Sequence, residues 1–359
     1  MKRILAIGLV VILVLTILST TAYFAYTWLP AKIHYHVTKS FLISQSADSA
    51  QVYLGILIPR SGPYQTVDDL NIGWDGQQER KSLPNVDSLK LWSQIGEGKS
   101  LEANIGYDII LPQGAVSWNA PIEKFQLLPQ AGIESDHPEI REIAGDLSTS
   151  SEKNRVYRIY RFTCDHLDYS QENCEETNVS AIEALQSGLG ACIGYSRLMV
   201  ALCRAAGIPA QMIIGSVLPD IFLSLPQTLS TGIPGGGHAW VEYSSEGKWY
   251  LVDPSWGEDL TPTVAFNRND GRHLSFGEFE QFTNAKEDLN HWATDQAQPL
   301  DNALSYIFAA RGGETKITPT TIIKKTWDGR WINTLLCLGI VTILLCKIRD
   351  SFFKNLQPT

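Results

Sequence analysis

Gly188-Leu-Gly-Ala-Cys192, Gly235-Gly-Gly-His238-Ala-Trp240 and Leu251-Val-Asp253-Pro-Ser-Trp256 follow one another within residues 188–256. They supply a thiol, an imidazole and a carboxylate, and the rest of the chain reads as what holds, covers or anchors these groups. After Cys192, the residues Tyr195, Leu198, Met199, Leu202 and Ala206 recur at helical spacing up to Gly207-Ile-Pro209. This predicts a mostly buried helix with Cys192 at its start. Unpaired backbone N–H groups and the macrodipole there favour a thiolate, and the Cys192 N–H is a natural oxyanion donor. Cys203, in the same helix, reads as a small buried hydrophobe.

Ala210–Val217 reads as a strand, and the runs 238–243 and 248–253 as a hairpin around Ser244-Ser-Glu-Gly247. A loop at 245–246 or 244–247 puts His238 directly opposite Asp253, with Cβ atoms about 4.5–5.5 Å apart. A loop at 246–247 keeps both on one face, but diagonally. The directly opposed distance lets the carboxylate hold an imidazole N–H and fix its tautomer, whereas a three-residue loop would spoil the match. Gly235–Gly237 clear space before the histidine. A lone histidine on a strand is usually structural, and a lone cysteine at a helix start is usually just buried. It is the convergence of three roles that points to nucleophilic chemistry.

Upstream, residues 31–130 alternate as short strands separated by turn signals, which suggests a small β-sandwich. His34 and His36 share a strand face there, better read as solvated than as a metal site. Residues 138–187 turn helical. Pro138 is placed for a first turn, 153–167 form a second helix, and Ser180 with Glu183 makes a capping box before a stop at Gly188. The proline-rich stretch 217–237 has two readings, a lid over the site or a packed insertion. Downstream, Ser275-Phe-Gly-Glu278 could cap a helix, and 300–310 reads as another. His273 and His291 lack triad-like neighbours in sequence, and 258–330 is assigned to completing the catalytic domain and returning the chain to the membrane.

Residues 4–28 carry no charge and are long enough to cross a bilayer, with Lys2 and Arg3 before them. An uncleaved anchor is favoured over a cleaved signal peptide. A shorter apolar segment, 331–346, is followed by Lys347, Arg349 and Lys354. It reads as a second span or as a buried or interfacial helix. With both spans in place, the ends are cytoplasmic and residues 30–330 lie outside.

Charged residues make up 19% of the 359 and hydrophobic ones 44%, which excludes a largely disordered chain. The formal charge is −9; since five of 29 basic and one of 38 acidic residues lie at the ends, the middle carries −13. Such a domain has no electrostatic footprint for nucleic acid. Six cysteines without paired CxxC spacing exclude a disulfide scaffold and a zinc ribbon. Cys164 and Cys174 are either bridged or reduced. In a eukaryotic host Asn178 would be a glycosylation candidate.

Gly190-Ala-Cys192 with Arg-Ala-Ala-Gly-Ile-Pro209, His238-Ala-Trp-Val-Glu and Trp249-Tyr-Leu-Val-Asp253-Pro together resemble the transglutaminase-like superfamily, over roughly residues 150–260. The resemblance implies a papain-like core with Cys192 as nucleophile, His238 as general base then acid, and Asp253 as the orienting acid. Tyr169 is a candidate second oxyanion donor. Gln211 departs from the arginine common in relatives, which removes a local salt bridge. The expected fold is α+β, a papain-like core with an N-terminal β-sandwich-like domain and flanking transmembrane helices. The expected divisions are 1–29 anchor, 30–130 β-rich domain, 131–325 catalytic domain, 326–350 second membrane segment and 351–359 cytoplasmic tail.

The expected function is a membrane-anchored, extracytoplasmic thiol acyl-hydrolase or acyltransferase. It would act on peptide or protein amides through a thioester, with no cofactor or metal. Two alternatives stand beside it. One is a noncatalytic binding or assembly protein of the same fold. The other is a metal hydrolase using Cys192 and His238, for which the spacing supplies no further ligands.

Overall fold

The computed structural model describes residues 2–83, 86–149, 151–170, 179–219, 227–229, 236–257, 266–303 and 305–354. Helix α1 (Lys2–Trp28) leads into strands β1 (Ala31–Gln45), β2 (Ala50–Pro59), β3 (Thr66–Gly73), β4 (Gln77–Ser82), β5 (Val86–Ile95), β6 (Ser100–Ala115) and β7 (Ser117–Trp118). Next come α2 (Pro138–Asp146), α3 (Glu152–His166), β8 (Asp168–Tyr169), α4 (Ala181–Ser187), β9 (Leu189–Gly190) and α5 (Cys192–Ala205). The second half holds β10 (Ala210–Val217), β11 (Gln227–Leu229), β12 (Gly236–Ser245), β13 (Lys248–Val252), β14 (Arg268–Asp270) and β15 (His273–Glu278). The chain ends with α6 (Phe279–Gln296), β16 (Gln298–Ala303), β17 (Tyr306–Arg311), β18 (Thr315–Asp328) and α7 (Gly329–Lys354).

Two sheets form the β-sandwich. One runs β11-β18-β1-β6-β14, with β3 also on β6; the other runs β16-β17-β2-β5-β4. Strand β1 shows why the sequence pairs this way. Ile33, Tyr35, Val37, Lys39, Phe41 and Ile43 alternate inward, and all are fully buried. The sandwich draws on both ends of the chain. Strand β18 pairs with β1 from Ile33 opposite Asp328 to Gln45 opposite Thr315, and β17 pairs with β2. Residues 298–328 therefore complete the sheets of the N-terminal region, rather than the catalytic unit to which the sequence assigns them. Residues 300–303 and 306–310 are strands, not a helix. Tyr306–Ala310 is buried on both faces, and a continuous apolar run carries no period to distinguish strand from helix.

The unit that carries Cys192 is built around α5, packed among α2, α3 and α4 and against the sheet β15-β10-β12-β13-β7. Its local signals behave as the residues dictate. Pro138 opens α2, and Ser180 and Glu183 cap α4 reciprocally. Gly188 closes α4 in the left-handed conformation at φ +68°, open to glycine without strain. Helix α6 begins one residue after Glu278, whose carboxylate accepts from the Gln281 N–H; the cap is thus Glu278 rather than Ser275. Cys174, Asn178 and most of the 217–237 stretch lie outside the described residues.

Two helices are long and apolar enough to cross a membrane, over Val10–Trp28 and Gly329–Ile348. They continue the antiparallel neighbours β1 and β18, so both leave the sandwich at the same end. Tyr26 packs edge-on against Trp331 at 5.3 Å. The Gln113 amide donates to the Tyr26 and Leu29 carbonyls, and Asn333 donates to the Pro30 carbonyl, tying the helix pair to the sheet.

Candidate active site

Cys192 is the first residue of α5, with Ala191 extended before it. It gets there because the strand pair β8–β9 sets Tyr169 beside Gly190, two residues upstream. Gly190 in turn lies 3.5 Å from the backbone of Gly194, a distance measured from where a Cβ would stand, so the strand presses closely on the helix start. The thiol is half-buried, the His238 ring is largely buried, and Asp253 is 1% exposed. Cys203 and Cys164 are buried, and burial pushes both thiols up to about 12, so neither competes as a thiolate at neutral pH.

Strands β12 and β13 pair in the register Val241 opposite Val252, turning at Glu246-Gly247. Both turn residues have positive φ, +53° and +77°, as a two-residue primed turn requires. The loop is thus at 246–247, and the directly opposed register, expected for a loop at 245–246 or 244–247, does not occur. His238 and Asp253 nevertheless meet on one face, diagonally, with His238 Nε2 2.7 Å from Asp253 Oδ2. The Cys192 thiol hydrogen-bonds the same ring. With Nε2 held by the carboxylate, Nδ1 is the nitrogen left for sulfur. Burial alone would lower the His238 ring, but the Asp253 carboxylate and then the thiol raise it to about 10. Burial likewise pushes Asp253 up, yet His238 and His273 outweigh it and hold the carboxyl well below the usual range.

Asp253 is held at both oxygens. Oδ1 accepts from the Ser255 N–H at 3.0 Å and the Ser255 hydroxyl at 2.7 Å, in the short turn that follows β13. Oδ2 takes His238 and, at 3.1 Å, His273 Nε2. His273 Nδ1 lies 2.8 Å from Asp270 Oδ1. His273 therefore has triad neighbours after all. They were not visible in sequence because β15 carries the ring to the site by pairing with β10, Val217 opposite His273. The usable signal was Asp270-Gly-Arg-His273, a turn placing a carboxylate three residues before an imidazole.

Two tryptophans wall this chain. Trp240 stands 6.1 Å from His238 and 5.0 Å from His273; Trp256 stands 5.7 and 4.8 Å from the same rings. A Cβ at Gly215 would run into the Trp240 ring, so glycine is what lets Trp240 lie there. On the same face of β12, Glu242 accepts from Tyr64 and from Gln211 at 2.8 Å. Glu242 is thus the partner of Gln211, and burial raises Glu242 to about 7.

His238, Asp253 and His273 offer donor atoms within 4.8 Å of one another, supplying the ligands that spacing did not reveal for a metal site. An ion there would have to displace protons that both rings hold more firmly than usual. Tyr169 is half exposed, its ring 6.1 Å from Tyr195, on strand β8, which pairs with the one leading to the thiol.

Residues 141–254 match the model of the transglutaminase-like superfamily. This segment is a transglutaminase-like core. Over 133 residues, 35% of this chain, the sequence is 30% identical to kyphoscoliosis peptidase from Mus musculus; the human protein is 29% identical over 131 residues. The match spans only 19% of either relative's length. Among solved structures, a candidate cysteine protease from Cytophaga hutchinsonii is similar with a TM-score of 0.49 and 14% identity, covering 83% of this chain and 93% of that one. The periplasmic domain of TgpA from Pseudomonas aeruginosa gives 0.35 at 16% identity, covering 69% and 97%. The transglutaminase-like core ends one residue beyond Asp253, so Cys192, His238 and Asp253 all fall within it, whereas His273 and the sandwich fall outside.

Proposed function

We propose that this protein is a membrane-anchored, extracytoplasmic enzyme that transfers the acyl group of peptide or protein amides through a Cys192 thioester. The observation that carries the reading is His238, bonded to the Cys192 thiol on one side and to buried Asp253 on the other. His238 takes the thiol proton, and the thiolate attacks the amide carbonyl to form a C–S bond. The resulting oxyanion is met by the Cys192 N–H at the start of α5, with Tyr169 as a second donor. As the tetrahedral centre collapses, the C–N bond breaks and His238 passes its proton to the departing amine. Asp253 keeps the ring in one tautomer and stabilises its cation. Water or a second amine, deprotonated by His238, then attacks the thioester and releases the thiolate.

Helices α1 and α7 serve as the anchors. Because both leave one end of the sandwich, residues 31–328 lie on one side of the bilayer, and Lys2 and Arg3 favour the outer side for them. The test is a glutamine-containing protein substrate with a labelled primary amine. Label incorporation marks a transferase, and ammonia release or a cut chain marks a hydrolase. Activity that survives Cys192→Ala would contradict the reading, whereas activity that survives chelator is expected.

A further inference from the structure

We propose that His273 is a positioning residue for this site: it grips Asp253 Oδ2 and, braced by Asp270, keeps that oxygen aimed at the His238 ring. The inference rests on the proposed Cys192–His238 pair and extends it by a fourth and fifth residue. His273 is 2% exposed and makes contacts of 3.1 Å to Asp253 and 2.8 Å to Asp270. Both partners are carboxylates, which when ionised can only accept, so both ring nitrogens must donate. A ring that donates at both ends cannot exchange tautomers or turn over without losing a bond. It is a fixed wedge between two strands of the site.

Asp270 is fixed in its turn. It accepts from the Arg272 N–H at 3.0 Å, and the Arg272 guanidinium lies 3.9 Å from its other oxygen. That guanidinium stacks over Trp256 at 5.3 Å and donates to the Leu218 carbonyl at 2.7 Å. Trp256 itself touches both histidines. The charged groups facing His273 are thus Asp253, Asp270, His238 and, beyond Asp270, Arg272. The cation on His273 adds to Arg272 in balancing the Asp270 carboxylate beside the site. Ser255 already fixes Oδ1, so the direction of Oδ2 is what His273 decides.

The experiment uses the full chain in detergent micelles, with histidine rings labelled with nitrogen-15. His273→Gln keeps an N–H donor for Asp253, and His273→Leu keeps only bulk. Two signals are read in each: the downfield ring proton of His238 that faces Asp253, and the rate of Cys192 alkylation by iodoacetamide at neutral pH. The clamp predicts a sharp His238 proton in the natural protein and in the glutamine variant, broadened by exchange in the leucine variant. It also predicts alkylation slowed about tenfold in the leucine variant and largely restored by glutamine. An unchanged His238 proton in His273→Leu would overturn the inference. So would equal losses in both variants in step with a lower melting temperature, which would mark a packing role. If the natural thiol proves inert, the acyl-transfer reading fails, but the His238 proton still decides the clamp.

Discussion

His238 and Asp253 stand diagonally across the β12–β13 hairpin, and their 2.7 Å contact depends on the two-residue turn at Glu246-Gly247. Inserting one glycine between those turn residues moves β13 by one position. Every side chain beyond it then exchanges faces, and Asp253 leaves the His238 face. The expected outcome is loss of Cys192 alkylation at neutral pH, with strand content by circular dichroism retained. Gly247→Val, which puts a branched side chain at φ +77°, should instead cost about 1–2 kcal/mol in chemical denaturation and leave the register alone.

Asp253→Asn keeps the shape of the buried group and removes its charge. His238 loses the largest favourable influence on its cation, so its ring proton should leave at a lower pH than the present value of about 10. Stability should fall by roughly 3 kcal/mol, because His273 is left facing a partner that no longer balances it. Ring titration by NMR and denaturant unfolding check the two parts separately.

The pH dependence of stability follows from the same pair. His238 is raised in the folded state, so its contribution is complete below its unfolded value near 6.5 and is lost as pH rises through about 10. Asp253 is depressed, so its contribution is present above its unfolded value near 3.8 and is lost as the solution is acidified below that. Melting temperature against pH should decline above neutrality more steeply in the natural protein than in His238→Gln. Parallel curves would contradict this assignment.

Glu242 predicts a loss of stability as pH rises toward neutrality. Burial raises it to about 7, so its contribution is complete below an unfolded value near 4.5 and disappears as pH rises through 7. It lines a cavity of about 180 Å³ with Tyr64 and Gln211. Gln211→Arg brings a guanidinium to this carboxylate and should flatten the melting-temperature curve between those limits. A curve as steep as that of the natural protein would show that the arginine does not reach Glu242.

How much of this was legible in the sequence depends on how local each signal is. Cys192 at a helix start, the capping box at Ser180, and the shared face of His238 and Asp253 are written in short spacings, and the structure has them. Of the hairpin registers open in the sequence, the structure has the diagonal one, offset by two residues from the directly opposed one, and Gly247 at the second turn position pointed to it. His273 was missed because the pairing of β15 with β10 brings it from outside the local pattern. Strands β16–β18 were missed for the same reason on a larger scale. Thr315 pairs with Gln45, 270 residues away, and no local period records a partner at that distance.

The most direct test of the account is the rate of Cys192 alkylation by iodoacetamide as a function of pH, in the full chain and in His238→Ala, with Cys192→Ala as the blank. The account predicts rapid, Cys192-specific alkylation at about pH 6–7 that is lost in His238→Ala, as a thiolate kept by an imidazolium requires. A thiol that reacts only near or above about pH 8.5, with the same profile in both proteins, would mean that the pair is not assembled and would contradict the acyl-transfer reading.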